Sequence, residues 1–363
     1  MEEKLIRIPA ETQYAEELRA LEVEDRRPKP GNWRLSPWAV LKYLTGGKTE
    51  QGLEITPKYI GPRRLLEIAI ASLLSDRALL LTGVPGTAKS WLAEHLAAAV
   101  SGHSNLLVQG TSGTGEDALR YGWNYARLIA GGPSRDALVP GPVMRAMESG
   151  QLVRIEELTR IPTEMQDALI SILSEKCLPV PELELEIQAR QGFNVLATAN
   201  DQDKGIYPMS SALQRRFNVL VMPLPASLEE EISIVRQRVH QLGQSLQLPL
   251  EELRQQNVEK LLTLLRELRT GVTHDGKQKL KPTRSVFSPA ETISMLHHAR
   301  IQHHYFSERP LDATDLVRAV VQTFVRDDAE EREVLSSYAE SVLRKRNAWK
   351  DWYEAFREQL LVK

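Results

Sequence analysis

The sequence predicts an α/β fold: a parallel, doubly wound sheet followed by an all-helical domain. Short apolar runs at 78–82, 106–109, 152–155, 194–198 and 219–222 alternate with helically spaced segments near 88–101, 139–149 and 163–175. Strands that read as nearly continuous apolar runs belong to sheets covered on both faces, and parallel sheets are built that way. The pattern stops at Pro223-Leu224-Pro225, and from Ser227 the spacing is helical, over 227–243, 249–270, 288–306 and 312–326.

The flanks are read the same way. Residues 1–55 form an N-terminal arm with Pro- and charge-rich stretches, whose Trp33 and Trp38 call for packing against something. Residues 62–75 predict a helix with Pro62 near its first turn, where a missing N–H costs nothing. A core domain then spans 56–225 and a helical domain 226–327, with a loop at 271–287. A last helical stretch over 328–361, in a segment 328–363, carries Trp349, Trp352, Tyr353 and Phe356 at i, i+3, i+4 and i+7, one apolar face. That face packs either on the chain's own helical domain or on a partner.

Composition limits the function classes. A chain of 363 residues, 42% hydrophobic and 26% charged, has material for two domains with real cores. A net charge of −2 argues against broad, non-specific nucleic-acid binding. The single cysteine, Cys177, has no intrachain partner and reads as a buried, inert thiol in a reducing compartment. No run approaches the roughly 18 apolar residues of a membrane span. The acidic start lacks a signal-peptide core, so a soluble, cytoplasmic protein is expected.

The chemistry begins at Gly83-Val84-Pro85-Gly86-Thr87-Ala88-Lys89-Ser90, set between a predicted strand and the helical run that opens at Trp91. Strand, glycine loop and helix is the context of a phosphate-binding loop. Backbone N–H groups and a helix N-terminus surround an anion, the lysine reaches β- and γ-phosphates, and the serine hydroxyl ligates Mg²⁺. Ala88 stands where the pattern has glycine. With a negative φ there, the backbone still approaches the phosphates.

The run 152–155 leads into Glu156-Glu157, two carboxylates at a strand's carboxyl end, where ligands collect in parallel sheets. Strand alternation sends them to different sides, one to a metal and one to an attacking water. Asn200 follows the next run, placed to bond a γ-phosphate or position water. Arg215 and Arg216 precede Phe217, and an arginine there can neutralise charge in phosphoryl transfer, in cis or from a neighbouring subunit.

In this order, ending in a helical domain, these motifs resemble the AAA+ ATPases, and more narrowly the MoxR type. Tyr59-Ile60-Gly61 is similar to that family's nucleotide-edge motif, and Val139-Pro140-Gly141-Pro142-Val143 to its Gly-Pro segment. The run Arg154 to Arg160 resembles the YehL branch. The resemblance covers 56–326. It implies an α/β AAA+ P-loop core with an all-α lid. ATP would be bound by Ile60, Gly61, the loop Gly83 to Ser90, and Trp91. Mg²⁺ would lie at Ser90 and Glu156, with Glu157 activating water, Asn200 as first sensor and Arg216 as arginine finger, Arg215 being the runner-up. It also implies an insertion within 110–138 and a hairpin at 178–187. Glu156 departs from the usual Asp by one methylene. Ala290 stands where the second-sensor arginine is usual, with Arg284 as a substitute.

The histidines 297, 298, 303 and 304 do not make a metal set. Positions 297 and 304 are two turns apart, about 10 Å on a helix, and no third ligand lies near. The resemblance implies a ring, typically a hexamer, that remodels or assembles a client, often with a von Willebrand factor A domain protein. A DNA-associated motor and a nucleotide-gated scaffold with little turnover are the alternatives. The near-neutral charge counts against the motor, and nucleic acid is not an expected partner.

Overall fold

The computed structural model describes residues 6–200, 207–244, 246–249, 254–281, 283, 287–324 and 328–361. Arg284 lies outside them. The chain divides into two compact units: Met1–Val84 with Ala88–Pro223, and Leu224–Lys363 with the loop tip Pro85–Thr87.

The first unit begins with helices α1 (Ala10–Gln13), α2 (Ala15–Glu24) and α3 (Pro37–Thr45), a small hairpin β1 (Gly47–Lys48) and β2 (Glu54–Ile55), then α4 (Arg63–Leu74). The doubly wound part runs β3 (Ala78–Thr82), α5 (Lys89–Ser101), β4 (Leu107–Gln109), α6 (Glu116–Leu119), β5 (Tyr121–Trp123), α7 (Tyr125–Gly131) and β6 (Leu138–Pro140). It continues through α8 (Pro142–Ser149), β7 (Leu152–Glu156), α9 (Thr163–Glu175), β8 (Cys177–Val180), β9 (Leu185–Gln188), β10 (Asn194–Thr198), α10 (Ser211–Gln214) and β11 (Phe217–Val221). The main sheet is parallel, in the order β11-β3-β10-β7-β4.

Alternation assigns the strand side chains to two cores. Leu79, Leu81, Leu152 and Leu196 face one, built with α3, α4 and α5. Ala78, Leu80, Val153, Ile155, Val195 and Ala197 face the other, built with α8 and α9. Two sequence expectations need adjustment. Val219 and Val221 are 54% and 62% exposed, because β11 is an edge strand. Cys177 is half-buried on β8, not buried; burial and then the Glu186 carboxylate still push its thiol pKa up.

The residues before 56 pack onto α5. Trp33 is buried in the same core as Leu92, Leu96 and Val100, whereas Trp38 is 54% exposed beneath Arg27. The Glu94 carboxylate accepts from Arg7 Nη2 at 2.7 Å and from the Ala10 N–H at 3.2 Å. Tyr43 Oη lies 2.8 Å from His95 Nδ1. The insertion within 110–138 is a β5–β6 antiparallel pair with α7 at its tip, and β8–β9 form the second hairpin.

The second unit holds α11 (Leu228–Gln244), α12 (Gln255–Thr270), α13 (Pro289–Phe306), α14 (Ala313–Phe324), α15 (Ala329–Ser341) and α16 (Lys350–Leu361) around one core. The expected single helix over 328–361 is broken after Ser341 by two 3₁₀ turns. Unbroken, it would run about 50 Å and leave most of its apolar face uncovered. The break folds α16 back, so Trp352 and Phe356 are fully buried in the unit's own core, with Trp349 and Tyr353 against them.

The break is pinned by a buried carboxylate. Glu267 of α12 accepts from Tyr338 Oη at 2.6 Å, from Arg346 Nη2 at 2.7 Å and from the His274 N–H at 2.7 Å. Burial, then the Glu267 charge, pushes the Tyr338 pKa far up, so its hydroxyl stays a donor. Breaking a buried charged pair costs about 3–5 kcal/mol. Glu267→Ala is therefore expected to lower stability by about 3 kcal/mol, and Tyr338→Phe by about 1.5 kcal/mol, both read from denaturant midpoints.

Candidate active site

The glycine loop leaves β3 at its carboxyl end. Gly83 and Gly86 have φ of 132° and 79°, conformations open to glycine at no steric cost. Ala88 is the N-cap of α5 with φ of 63°. The condition of a negative φ is not met there: the loop re-enters the helix through a left-handed residue, a conformation that costs glycine nothing. Alanine tolerates it at about 1–2 kcal/mol. Lys89 Nζ folds over the loop and donates to the carbonyls of Gly83 and Val84 at 2.9 and 2.8 Å.

The carboxylates stand two strands away. The order β3-β10-β7 puts Asn200, just past β10, between the loop strand and the acidic strand. Glu156 is buried, and its Oε2 accepts from Ser90 Oγ at 2.5 Å and from Thr198 Oγ1 at 2.6 Å. Glu157 is no longer in the strand. Its φ of 55° turns the chain left-handed, so the two carboxylates diverge through a turn and not through pleat alternation. Asn200 Nδ2 donates to both Glu157 oxygens at 2.8 and 2.9 Å. Thr198 Oγ1 also accepts the Glu157 N–H at 3.1 Å.

Thr198 and Gly110 were not singled out from sequence. Thr198 is the polar last residue of an apolar strand, which was the available signal. Gly110, after β4, donates its N–H to the Glu156 carbonyl at 2.7 Å. A Cβ on Gly110 would lie 2.3 Å from the Glu157 carbonyl oxygen. That close approach has no sequence signature.

Ile60 and Gly61 lie in the turn before α4, and Gly61 has φ of 154°. Trp91 ties this turn to the loop helix: its Nε1 donates to the Lys58 carbonyl at 2.7 Å. Arg216 is not brought to this cluster. The Ala78 N–H donates to its carbonyl at the amino end of β3, and its guanidinium bonds Ser174 Oγ and the Ala212 carbonyl. The length of β3, about 3.3 Å per residue or roughly 16 Å in all, separates it from Gly83. Arg215 beside it is exposed. In the other unit, Ala290 is exposed in the first turn of α13, which Ser288 and Glu291 close with a capping box.

The donor set suits Mg²⁺, which takes hard oxygen ligands. Ser90 Oγ and the Glu156 carboxylate are in direct contact at the end of the loop, and the positive-φ glycines leave the loop backbone without side chains there.

Two substitutions probe the backbone. Ala88→Gly removes the left-handed cost, partly offset by chain entropy, and is expected to raise stability by about 0.5–1 kcal/mol. Gly110→Ala forces the Glu156–Glu157 carbonyls aside and is expected to cost about 2 kcal/mol, within the range for overpacking. Urea midpoints of the two variants against the parent chain check both signs.

Residues 78–217 match the family described as AAA domain (dynein-related subfamily), and residues 229–360 match the YehL-like AAA+ ATPase C-terminal domain. The chain is 36% identical to the protein YehL of Escherichia coli K12 over 357 residues, 97% of each chain. Over 146 residues, 40% of this chain, it is 31% identical to the protein SH1500 of Staphylococcus haemolyticus, covering 55% of that protein. A Staphylococcus aureus USA300 protein, SAUSA300_1302, matches at 30% over the same length, again covering 55% of that protein. With the glycine loop, the acidic strand and the helical second unit in place, the chain belongs to the AAA+ ATPases, in the YehL-like branch related to MoxR.

Proposed function

We propose that the protein binds and hydrolyses ATP with Mg²⁺, as a MoxR-type ring that remodels or assembles a client. The observation that carries this reading is the meeting of Lys89, Ser90, Glu156, Glu157 and Asn200 at the carboxyl ends of three adjacent strands. Lys89 exchanges its two loop carbonyls for phosphate oxygens. Ser90 and Glu156 would hold the metal, whose positive charge would offset that of the phosphates. Glu157 takes the proton of the attacking water, for which at least one of its oxygens must be released by Asn200. The same amide is then free to bond the γ-phosphate, so one movement arms the base and reports the nucleotide.

Arg216 stands a strand's length from its own loop, which favours action on a neighbour's nucleotide. A working site on this reading needs two subunits, consistent with a hexameric ring. A von Willebrand factor A domain protein is the partner class that the family suggests. No helix among the described residues is long and apolar enough to cross a membrane; the cytoplasmic setting is part of the proposal.

Glu157→Gln is expected to bind ATP with parental affinity and to lose at least about 100-fold in phosphate release, the usual weight of a general base. Unchanged turnover removes Glu157 from that role. Arg216→Ala is expected to lose about 1,000-fold in turnover while retaining ATP binding. A 1:1 mixture of the two variants should recover part of the activity, since an interface at which an Arg216→Ala subunit supplies the base and a Glu157→Gln subunit the arginine is sound. Absence of recovery counts against action in trans, and the particle mass in ATP checks the ring.

A further inference from the structure

Glu156 already has a full-charge partner inside the chain. Arg154 precedes it by two residues on β7, so both side chains leave the same face of the sheet. Each is 5% exposed. Arg154 Nη2 donates to Glu156 Oε1 at 2.7 Å, Nη1 to the Ser104 carbonyl at 3.1 Å, and Nη2 to the Ser90 carbonyl at 3.4 Å. The guanidinium is thus fixed between the strand and the first turn of the loop helix. Its Nε has no hydrogen-bond partner among the described residues. Burying a guanidinium in a strand is costly unless its charge is answered, and among the described residues Glu156 alone answers it with a full charge.

The division of the carboxylate is specific. Oε1 goes to Arg154, and Oε2 goes to the Ser90 and Thr198 hydroxyls. The extra methylene of glutamate lets one carboxylate reach both sides. A cation at Ser90 would meet a carboxylate whose charge is already balanced, with a guanidinium just behind it.

We propose that Arg154 is a positioning residue and built-in counter-ion for Glu156. It turns Oε2 toward Ser90 and keeps this pair from retaining a free divalent cation, so that metal is held only together with phosphate oxygens. The inference rests on the metal role given above to Ser90 and Glu156, and extends it to a residue outside the phosphate-loop pattern. An ion pair of purely structural use would tie the strand to α5 and leave metal binding unchanged when removed.

The test is a Mn²⁺ titration of the full chain without nucleotide, followed by the loss of the free-ion electron paramagnetic resonance signal. Arg154→Met, similar in reach and uncharged, is expected to bind Mn²⁺ at least about tenfold tighter than the parent, equivalent to about 1.4 kcal/mol. The double variant Arg154→Met with Glu156→Gln is expected to lose that gain and to recover the stability lost in Arg154→Met. Equal Mn²⁺ binding by parent and Arg154→Met overturns the proposal. If Arg154→Met does not fold, a folded double variant supports the counter-ion role, and an unfolded one overturns it by reducing Arg154 to packing. Binding of a fluorescent ATP analogue by the parent chain is measured alongside. Its failure would sink the ATPase reading without touching the Mn²⁺ result, and the reverse outcome is equally separable.

Discussion

The Glu156 carboxylate is the constraint on which the site depends. Its two oxygens join the loop helix through Ser90, the middle strand through Thr198 and its own strand through Arg154. Each partner sits on a different part of the first unit, so the carboxylate fixes their separation as well as its own direction. A buried charge tolerates this only when every bond is made. The strand order supplies that condition: β10 lies between β3 and β7, bringing a hydroxyl and an amide between the phosphate loop and the acidic turn. Sheet topology, through two side chains of one short strand end, thus becomes site geometry.

Much of this was legible because it rests on local pattern. The strands at 78–82 and 194–198 and the helix at 163–175 fall where periodicity places them, since burial on alternate faces leaves a direct mark on residue type. The glycine loop was readable for the same reason: a tight anion-binding turn restricts which residues fit. What the sequence did not carry was set by tertiary contact. Gly110 is required by a carbonyl from another strand, and Thr198 by a carboxylate from its neighbour. The break between α15 and α16 depends on Glu267, far away in the chain. In each case the residue type is unremarkable locally, and only its partner gives it meaning.

Ala88 holds the backbone conformation of a glycine. An alanine in place of glycine invites the inference that φ is negative, because that is the cheap conformation for a residue with a Cβ. The backbone kept the left-handed geometry and bore the cost. Loop shape here is imposed from both ends, by β3 in the sheet and α5 in the core, and one methyl group does not outweigh them. The substitution therefore changes the energy of the loop more than its form.

Two left-handed residues flank the same carboxylate. Among the described residues, the non-glycine residues with positive φ include Ala88, just before the Lys89–Ser90 turn, and Glu157, just after Glu156. Such conformations persist where surrounding structure over-determines them. At Glu157 the determinants are visible: the Thr198 hydroxyl accepts its N–H and the Asn200 amide holds both carboxylate oxygens. Release of Asn200 would remove the largest of these restraints on the side chain and leave the backbone bond in place. The carboxylate could then swing while its turn stayed fixed. On the reading proposed above, that separates a rigid metal end, locked by Glu156 and Arg154, from a movable base end, and the two ends are built from adjacent residues of one strand and its turn.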